Sequence, residues 1–274
     1  MRKLNYKMIV SDFDGTLIDD NQNIPEKVKS KIDEYVSAGG IFAVCTGRML
    51  RSILPRVREL GLKGLVIASQ GSVIADIDSG KLLKNSGLNH QQSVEICKNI
   101  EELGLYINFY CGDEIYTNLP PDDEGLRRYE MIIGLKTRYI DQKVSDYVIK
   151  NKMHCQKIAS IVKSYEREQV YLELQKRLGE KYDVTCSAKV LVEVSPLNET
   201  KGEAVKFLCK HFGISIEECV AVGDNLNDLS MILAAGIGVA VGNADVTLKS
   251  NADFISISNN DGAIAQIIEK YGFA

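Results

Sequence analysis

Short apolar runs alternate with longer amphipathic segments at the start of the chain, and this alternation predicts its secondary structure. The runs at residues 8–10, 41–45 and 65–68 have the length and continuous apolar character of buried strands. The segments between them, 25–38 and 49–60, have helical length, and the first begins with Pro25 and is followed by Gly39-Gly40. This order of strands and helices predicts a parallel sheet with helices on both faces.

The same alternation of short apolar runs and longer amphipathic segments returns in the last third of the chain. It predicts three more strands, at residues 219–222, 237–241 and 253–257. It also predicts four helices, at residues 200–212, 225–235, 244–250 and 262–271. These elements extend the same α/β sheet.

The middle of the chain has a different pattern of predicted elements, in which strands follow one another without crossover helices. Residues 72–84 read as a hairpin. Further strands are predicted at 106–110, 114–117, 157–162, 182–186 and 190–194, and helices at 91–103, 122–134 and 165–178. The span between residues 68 and 200 is far longer than the dozen or so residues of a parallel crossover. We therefore expect an inserted α+β domain at 83–192, within an α/β Rossmann-like core at 1–82 and 193–274.

Composition and charge exclude several classes of function. The chain has 274 residues, of which 45% are apolar and 26% charged, and a net charge of −4 gives no basic surface for nucleic acid or an acidic membrane. Seven cysteines without a CxxC pair, and three dispersed histidines, argue against zinc and against a disulfide framework, and favour the cytoplasm. Asp12 interrupts the N-terminal apolar stretch, so we expect no signal peptide. The longest uncharged apolar run, 231–242, is shorter than the roughly 20 residues that span a bilayer.

Polar clusters follow the predicted parallel strands, where functional groups of open sheets gather. The first strand ends in Asp12-Phe13-Asp14-Gly15-Thr16, the second in Thr46-Gly47-Arg48, and a later one in 223–228. Asp12 and Asp14 are two residues apart, so they project together from a strand end. Because their charges repel, they need a bound cation, a shared proton or a solvent-exposed turn. Alone, this motif fits a catalytic site and an acidic turn equally well.

Lys201 lies in the first turn of a predicted helix, because Thr200 and Glu203 fit the capping box. A cation there opposes the helix dipole at a cost of about 0.3–1 kcal/mol. An anion beside Lys201 would explain the position, and a solvent-exposed lysine is the alternative. Asp224 and Asp228 share a helix face if the helix begins at Asp224, although Asp224 also fits a plain N-cap.

Several carboxylates without nearby histidine or cysteine suit Mg²⁺, which prefers hard oxygen ligands. An EF-hand is excluded, because the loop lacks glycine at its sixth position and glutamate at its twelfth. Lys201, the Thr46 hydroxyl and the backbone amides around Phe13 and Gly47 would complete a phosphate cradle. A carboxylate next to the phosphorus can attack it, which gives an aspartyl-phosphate.

The four clusters, in this order, resemble the four motifs of the haloacid dehalogenase superfamily of phosphohydrolases, and the insert resembles its large type IIB cap. Residues 12–17, 223–232, 236–244 and 260–262 are similar to the Cof-like branch. The resemblance implies that Asp12 is the nucleophile and a Mg²⁺ ligand. It also implies that Asp14 protonates the leaving oxygen, then activates water, and binds Mg²⁺ through its backbone carbonyl.

The resemblance assigns the remaining roles to the other motifs. Asp224 completes the metal site and Asp228 supports it from nearby. The transferring phosphoryl group is held by Thr46 and Lys201, helped by the Phe13 and Gly47 amides and by Asn227. The sequence departs from the family where Gln70-Gly71-Ser72 replaces the frequent Asn-Gly-Ala, which leaves contacts near the cap hinge unassigned. Asn243 fits the family's Gly-Asn-Ala loop, and an N-cap for the helix at 244–250 is the favoured interpretation.

The resulting hypothesis is a Mg²⁺-dependent phosphatase acting on small phosphorylated metabolites, such as sugar phosphates or phosphorylated cofactors. A cap of this size is expected to close over the phosphate and exclude macromolecules. A phosphomutase with the same chemistry, and a non-catalytic metabolite-binding regulator, are the alternatives. Nucleic acid and membranes are not expected partners, and neither the substrate nor the oligomeric state can be read from the sequence.

Overall fold

The computed structural model describes residues 2–112, 114–188 and 190–274. The chain forms two compact units, one from Met1–Asn85 and Thr200–Ala274 and the other from Ser86–Glu199. The sequence-based borders at 82/83 and 192/193 cut two strands that the structure keeps whole. The strand Leu82–Asn85 pairs with the strand Val73–Asp76 in the sheet of the first unit. The strand Leu191–Pro196 pairs with the strand Tyr182–Ala188, up to and including Pro196, in the sheet of the second unit.

The first unit is built around an eight-stranded sheet in the order β14-β13-β12-β1-β2-β3-β4-β5. Numbered along the chain, its strands are β1 (Met8–Asp12), β2 (Ile41–Cys45), β3 (Leu65–Ala68), β4 (Val73–Asp76), β5 (Leu82–Asn85), β12 (Cys219–Gly223), β13 (Ile237–Ala240) and β14 (Phe254–Ile255). The pairs from β14 to β3 are parallel, and β4 and β5 add an antiparallel hairpin at one edge. This confirms the predicted parallel α/β core and its hairpin.

Among the described residues, six α-helices belong to this unit, and each buries at least one apolar side chain in the unit's core. They are α1 (Glu26–Ser37), α2 (Leu50–Glu59), α7 (Lys201–Phe212), α8 (Leu229–Ala234), α9 (Val246–Asn251) and α10 (Ala263–Ile267). In α1, for example, Val28, Ile32 and Tyr35 are buried at helical spacing. The Tyr35 hydroxyl donates to the Tyr6 carbonyl at 2.8 Å, which satisfies the one polar atom of that ring.

The central position of β1 brings three polar segments to one edge of the sheet. β1 lies between β12 and β2, with Asp12 in register with Cys45 and Ser11 in register with Val222. Since these strands are parallel, the residues that follow Asp12, Cys45 and Val222 all leave the sheet at its carboxyl edge. The fold therefore gathers the predicted motifs at the expected place.

The second unit has a six-stranded sheet in the order β10-β11-β9-β6-β7-β8. Its strands are β6 (Asn108–Cys111), β7 (Glu114–Thr117), β8 (Arg138–Tyr139), β9 (Lys157–Ile161), β10 (Tyr182–Ala188) and β11 (Leu191–Pro196). Its helices are α3 (His90–Glu102), α4 (Glu124–Ile133), α5 (Val144–Asn151) and α6 (Arg167–Leu178). All strand pairs are antiparallel except β7 with β8, as expected of an α+β domain.

Two elements of this unit were missing from the sequence-based assignment, namely β8 and α5. Val144 and Val148 of α5 are fully buried, and Tyr147 packs beside them. Their spacing is helical, but Lys143 precedes the helix and makes no side-chain cap, so no local start signal is present. Among the described residues the longest helix, α3, has 13 residues, and no helix combines the length and apolarity that a bilayer crossing requires.

Candidate active site

A buried ammonium group joins the first and fourth motifs. Lys201 is the first residue of α7, and the Thr200 hydroxyl caps this helix by accepting a hydrogen bond from the Glu203 amide at 3.3 Å. The Lys201 side chain is fully buried, and its Nζ donates to Asp12 Oδ1 and, at 2.6 Å, to Asp228 Oδ1. These two carboxylates offset the unfavourable helix dipole, so the solvent-exposed alternative for Lys201 is excluded.

The expected capping box around Thr200 is only half formed. Within the described part of the chain, Glu203 makes no hydrogen bond back to the Thr200 amide; its carboxylate pairs with Lys206 at 2.7 Å. The first turn of α7 is instead held by two hydroxyls, because Ser230 accepts a hydrogen bond from the Gly202 amide at 3.1 Å and Thr200 accepts one from the Glu203 amide.

The pKa values of Asp12 and Lys201 are shifted by burial and by the charges around them. Burial raises the pKa of Asp12 well above its usual range, and the positive charge of Lys201 only partly offsets this effect. Burial lowers the pKa of Lys201, but the carboxylates of Asp12 and Asp228 more than reverse that, so the net shift is upward. Lys201 therefore stays charged, and a further cation beside Asp12 would favour the ionised form of its carboxyl group.

The segment after β12 forms a tight turn rather than the expected helix start. Asn225 caps a short 3₁₀ turn at Leu226–Asp228, and α8 begins only at Leu229. The predictions that a helix begins at Asp224, or that Asp224 is its N-cap, are therefore wrong. Asp228 is fully buried, and its Oδ2 accepts hydrogen bonds from the backbone amides of Asp224 at 2.9 Å and Asn225 at 3.0 Å. The Asp228 carboxylate thus fixes both the conformation of the turn and the position of the Lys201 ammonium group.

Asp224 packs against the turn that follows β1. Its Oδ1 accepts a hydrogen bond from the Thr16 hydroxyl at 2.8 Å. Gly15 has a φ of +74°, and a Cβ atom there would lie 2.9 Å from Asp224 Oδ2, so only glycine fits this approach. Sequence reasoning placed Thr16 in the motif but did not predict this contact.

Carboxylate oxygens of Asp12, Asp224 and Asp228 lie within 4.8 Å of one another, which fits a divalent cation with hard oxygen ligands. Both oxygens of Asp228 already accept hydrogen bonds from Lys201 and from two backbone amides. Asp12 and Asp224 are therefore the side chains that would hold a metal, and Asp228 would orient them.

Asp14 is engaged in an ion pair with Arg48. The guanidinium donates from Nε to Asp14 Oδ2 at 2.9 Å and from Nη2 to Asp14 Oδ1 at 2.6 Å. It also lies 5.4 Å from the centroid of the buried Phe13 ring. A fork-shaped pair of this kind fixes the carboxylate in one orientation.

Thr46, Gly47 and Asn227 form a separate corner of the same sheet edge. Thr46 is buried directly after β2, and its hydroxyl accepts a hydrogen bond from the Arg48 amide at 3.2 Å. Asn227 is exposed, and its Nδ2 lies 3.5 Å from Gln70 Oε1. In residues 2–112, 114–188 and 190–274, no hydrogen bond joins Thr46 or Asn227 to Lys201.

Comparison with known proteins identifies the family of the chain. The family model described as haloacid dehalogenase-like hydrolase matches residues 9–268. The chain belongs to this hydrolase family. The solved structure of TM0651 from Thermotoga maritima superposes with a TM-score of 0.85 at 28% identity, covering 98% of both chains. The membership inferred from the four motifs is thereby confirmed.

Two relatives of this hydrolase in Bacillus subtilis bear phosphatase names. The putative phosphatase YxeH is 29% identical over 97% of this chain and 98% of its own length. YcsE, named 5-amino-6-(5-phospho-D-ribitylamino)uracil phosphatase, is 27% identical over 98% of this chain and 96% of its own length. The protein is accordingly an enzyme of the phosphatase type within its family.

Asn243 in this hydrolase supports the motif turn rather than a helix. Its Nδ2 donates to the Gly15 carbonyl at 2.7 Å, and its Oδ1 accepts from the Asn259 amide at 3.0 Å. The cap of α9 is Asp245, which accepts from the Thr247 amide at 2.7 Å, so the N-cap interpretation of Asn243 is wrong. The competing cap two residues later was the available signal in the sequence.

The metal-free hydrolase is expected to lose stability as the pH rises through about 6. Burial raises the pKa of Asp224 to about 6, whereas the unfolded chain has its ordinary value of about 3.9. Between these values the folded state binds the extra proton, so this contribution is present at low pH and is lost above the folded pKa. In a chelator, the thermal midpoint should fall between about pH 4.5 and about pH 7.5.

The Asp224→Asn variant provides the control for this pH effect, because asparagine does not titrate. Its midpoint should fall less than that of the wild type over the same range. Mg²⁺ added at about pH 7.5 should raise the midpoint of the wild type more than that of the variant. Equal pH profiles for the two proteins would contradict the assignment to Asp224.

Proposed function

We propose that this haloacid dehalogenase-like hydrolase is a Mg²⁺-dependent phosphatase that hydrolyses small phosphorylated metabolites through an aspartyl-phosphate. The observation that carries the proposal is the buried Lys201 ammonium, bound to both Asp12 and Asp228 beside Asp224. A carboxylate held by a lysine and next to a further acidic residue can approach a phosphate only if positive charge offsets the repulsion.

In the first half of the reaction, an oxygen of Asp12 attacks phosphorus and the bond from phosphorus to the ester oxygen breaks. Asp14 gives its proton to that leaving oxygen, while Lys201 neutralises charge on the phosphoryl oxygens. When bound at Asp12 and Asp224, with the Asp14 carbonyl as a further ligand, Mg²⁺ supplies additional positive charge. The products of this half are the free alcohol and phospho-Asp12.

In the second half, Asp14 takes a proton from water, and the water oxygen attacks the phosphorus of phospho-Asp12. The acyl phosphate bond breaks, which releases inorganic phosphate and restores the Asp12 carboxylate. Asp14 must leave the guanidinium of Arg48 to perform both steps, because that pair occupies both of its oxygens. Thr46, the amides of Phe13 and Gly47, and Asn227 are assigned to binding the phosphoryl oxygens.

The substrate class rests on the relatives and on the insert. The name of YcsE specifies a small phosphorylated compound as its substrate, which supports a small metabolite as the substrate of this protein. The resemblance assigns substrate choice to the insert predicted at 83–192, and the second compact unit spans Ser86–Glu199. All seven cysteines are free thiols, in keeping with a reducing cytoplasmic location.

Removal of metal ions should stop turnover. We expect chelation to abolish phosphate release from a generic aryl phosphate, and Mg²⁺ to restore it, because Asp12 and Asp224 repel an anionic substrate without a cation. The measurement is phosphate release over a panel of sugar phosphates and phosphorylated cofactors. Undiminished turnover after exhaustive chelation would contradict the metal requirement.

The same panel separates this function from the two alternatives. A phosphomutase would convert hexose phosphates into their isomers without releasing phosphate. A non-catalytic regulator would be stabilised by a phosphorylated ligand without any turnover.

A further inference from the structure

The turn after β3 has an unusual backbone. Ser69 has a φ of +51° and Gln70 a φ of +59°, a left-handed conformation that side-chain-bearing residues rarely adopt, least of all consecutively. The neighbouring motif loop holds this turn in place. The Ser69 amide donates to the Arg48 carbonyl at 2.8 Å, and the Gln70 amide donates to the Thr46 carbonyl at 3.2 Å. Strained residues persist where the surroundings fix them, and they cluster at functional sites.

This conformation places the Gln70 side chain in the corner formed by Gly47 and Asn227. A Cβ atom on Gly47 would lie 2.7 Å from Gln70 Nε2, so the carboxamide rests directly on the backbone of the motif loop. On its other side, Gln70 Oε1 lies 3.5 Å from Asn227 Nδ2. The first unit contains all four of the residues concerned, namely Thr46, Gly47, Gln70 and Asn227.

The Gln70 carboxamide has hydrogen-bonding capacity left over. Its side chain is half-buried, and among the residues that the structure describes no hydrogen-bond acceptor is recorded for its Nε2. A primary amide carries two N–H donors, and the backbone amide of Gly47 beside it is already assigned to a phosphoryl oxygen. A neutral donor at this place can bind an anion without adding another charge to the site.

We propose that Gln70 is a substrate-binding residue of the phosphate cradle, donating from Nε2 to a phosphoryl oxygen while Asn227 orients Oε1. This inference rests on the proposed phosphatase function and extends it to a residue that departs from the family's frequent Asn-Gly-Ala. Glutamine reaches one methylene further than asparagine. The left-handed turn sets the direction in which that longer side chain leaves the backbone.

Gln70→Gly separates binding from backbone conformation, because glycine adopts a positive φ without strain. We expect an unchanged or higher thermal midpoint together with a kcat/KM about 10- to 100-fold lower, the range for loss of a hydrogen bond to a charged group. Gln70→Asn keeps an amide on a shorter side chain and should lose less activity. A purely structural role predicts no loss in Gln70→Gly, since that variant relieves the strain.

Gln22→Gly is the matched control. Gln22 is exposed and also has a left-handed φ, of +64°, but within the described part of the chain its side chain makes no hydrogen bond to the motifs. Its replacement should affect stability in the same direction and leave kcat/KM unchanged. If both glycine variants lose activity equally, the effect is a general one of backbone flexibility and the proposal fails.

Binding of inorganic phosphate provides a readout that does not depend on turnover. Calorimetric titration of the Mg²⁺-loaded proteins should show phosphate bound about two- to tenfold more weakly by Gln70→Gly than by the wild type and by Gln22→Gly. Wild-type affinity and activity in Gln70→Gly would overturn the role of Gln70 and leave the phosphatase intact. A wild type that hydrolyses no ester in the panel would overturn the proposed function and, with it, the role of Gln70.

Discussion

Asp12→Asn should abolish phosphate release while leaving the protein folded. Asparagine has nearly the same shape as aspartate but is not a nucleophile toward phosphorus, so kcat should fall by about 10⁴-fold or more. Lys201 keeps its second partner, Asp228, so the buried ammonium remains paired. The measurement is phosphate release from an aryl phosphate with Mg²⁺, alongside circular dichroism and the thermal midpoint.

Asp14→Asn is the matched control, since it alters the neighbouring carboxylate and leaves the nucleophile in place. An aryl phosphate with a good leaving group needs little help from an acid, so Asp14→Asn should form phospho-Asp12 and hydrolyse it slowly. Acid quenching with labelled substrate should trap phosphate on Asp14→Asn, released by hydroxylamine, and none on Asp12→Asn. Turnover of Asp12→Asn within tenfold of the wild type would show that another group attacks.

Asp228→Ala should destabilise the fold more than any surface substitution. The change leaves the buried Lys201 ammonium with Asp12 alone, and it removes the acceptor of the Asp224 and Asn225 amides. Losing one of the two carboxylates beside a buried ammonium, together with the acceptor of two backbone amides, should cost about 3–5 kcal/mol. Urea unfolding near neutral pH gives the free energy of unfolding directly.

Two further variants separate charge from hydrogen bonding in this result. Asp228→Asn can keep an acceptor for the two amides and loses the charge, so it should be destabilised less than Asp228→Ala. Glu203→Ala removes the partner of Lys206 on the same helix, in a pair whose side chains are 42% and 55% exposed. That change should cost no more than about 1 kcal/mol, and a comparable loss in Asp228→Ala would refute the buried network.

Most of the strands were predictable because each depends on a local pattern. The apolar runs at 41–45 and 65–68 coincide with Ile41–Cys45 and Leu65–Ala68, and the punctuation around Pro25 and Gly39 brackets α1. The insert was recognisable from its length and from its different pattern of predicted elements. The strand and helix signals lie within windows of about a dozen residues, and the tertiary contacts of the fold reinforce them.

The pairings inside the site could not be derived in that way. Lys201 and Asp12 are 189 residues apart, so only the motif pattern suggested that they meet. The helix predicted at 225–235 is divided into a 3₁₀ turn capped by Asn225 and the helix α8 from Leu229, and sequence alone does not rank Asn225 against Asp224 as the cap. The left-handed turn at Ser69 and Gln70 gives no sequence signal, since neither residue is glycine.

The central position of β1 has a consequence for biosynthesis. One neighbour of this strand, β2, is translated soon afterwards, but the other, β12, begins only at Cys219. At about 5–20 residues per second, roughly 10–40 s separate the synthesis of the two sides. For that time one hydrogen-bonding edge of the apolar segment Met8–Asp12 has no native partner on the ribosome. Chaperone binding to nascent chains should therefore be strongest before residue 219 emerges, and should decline once β12 can pair.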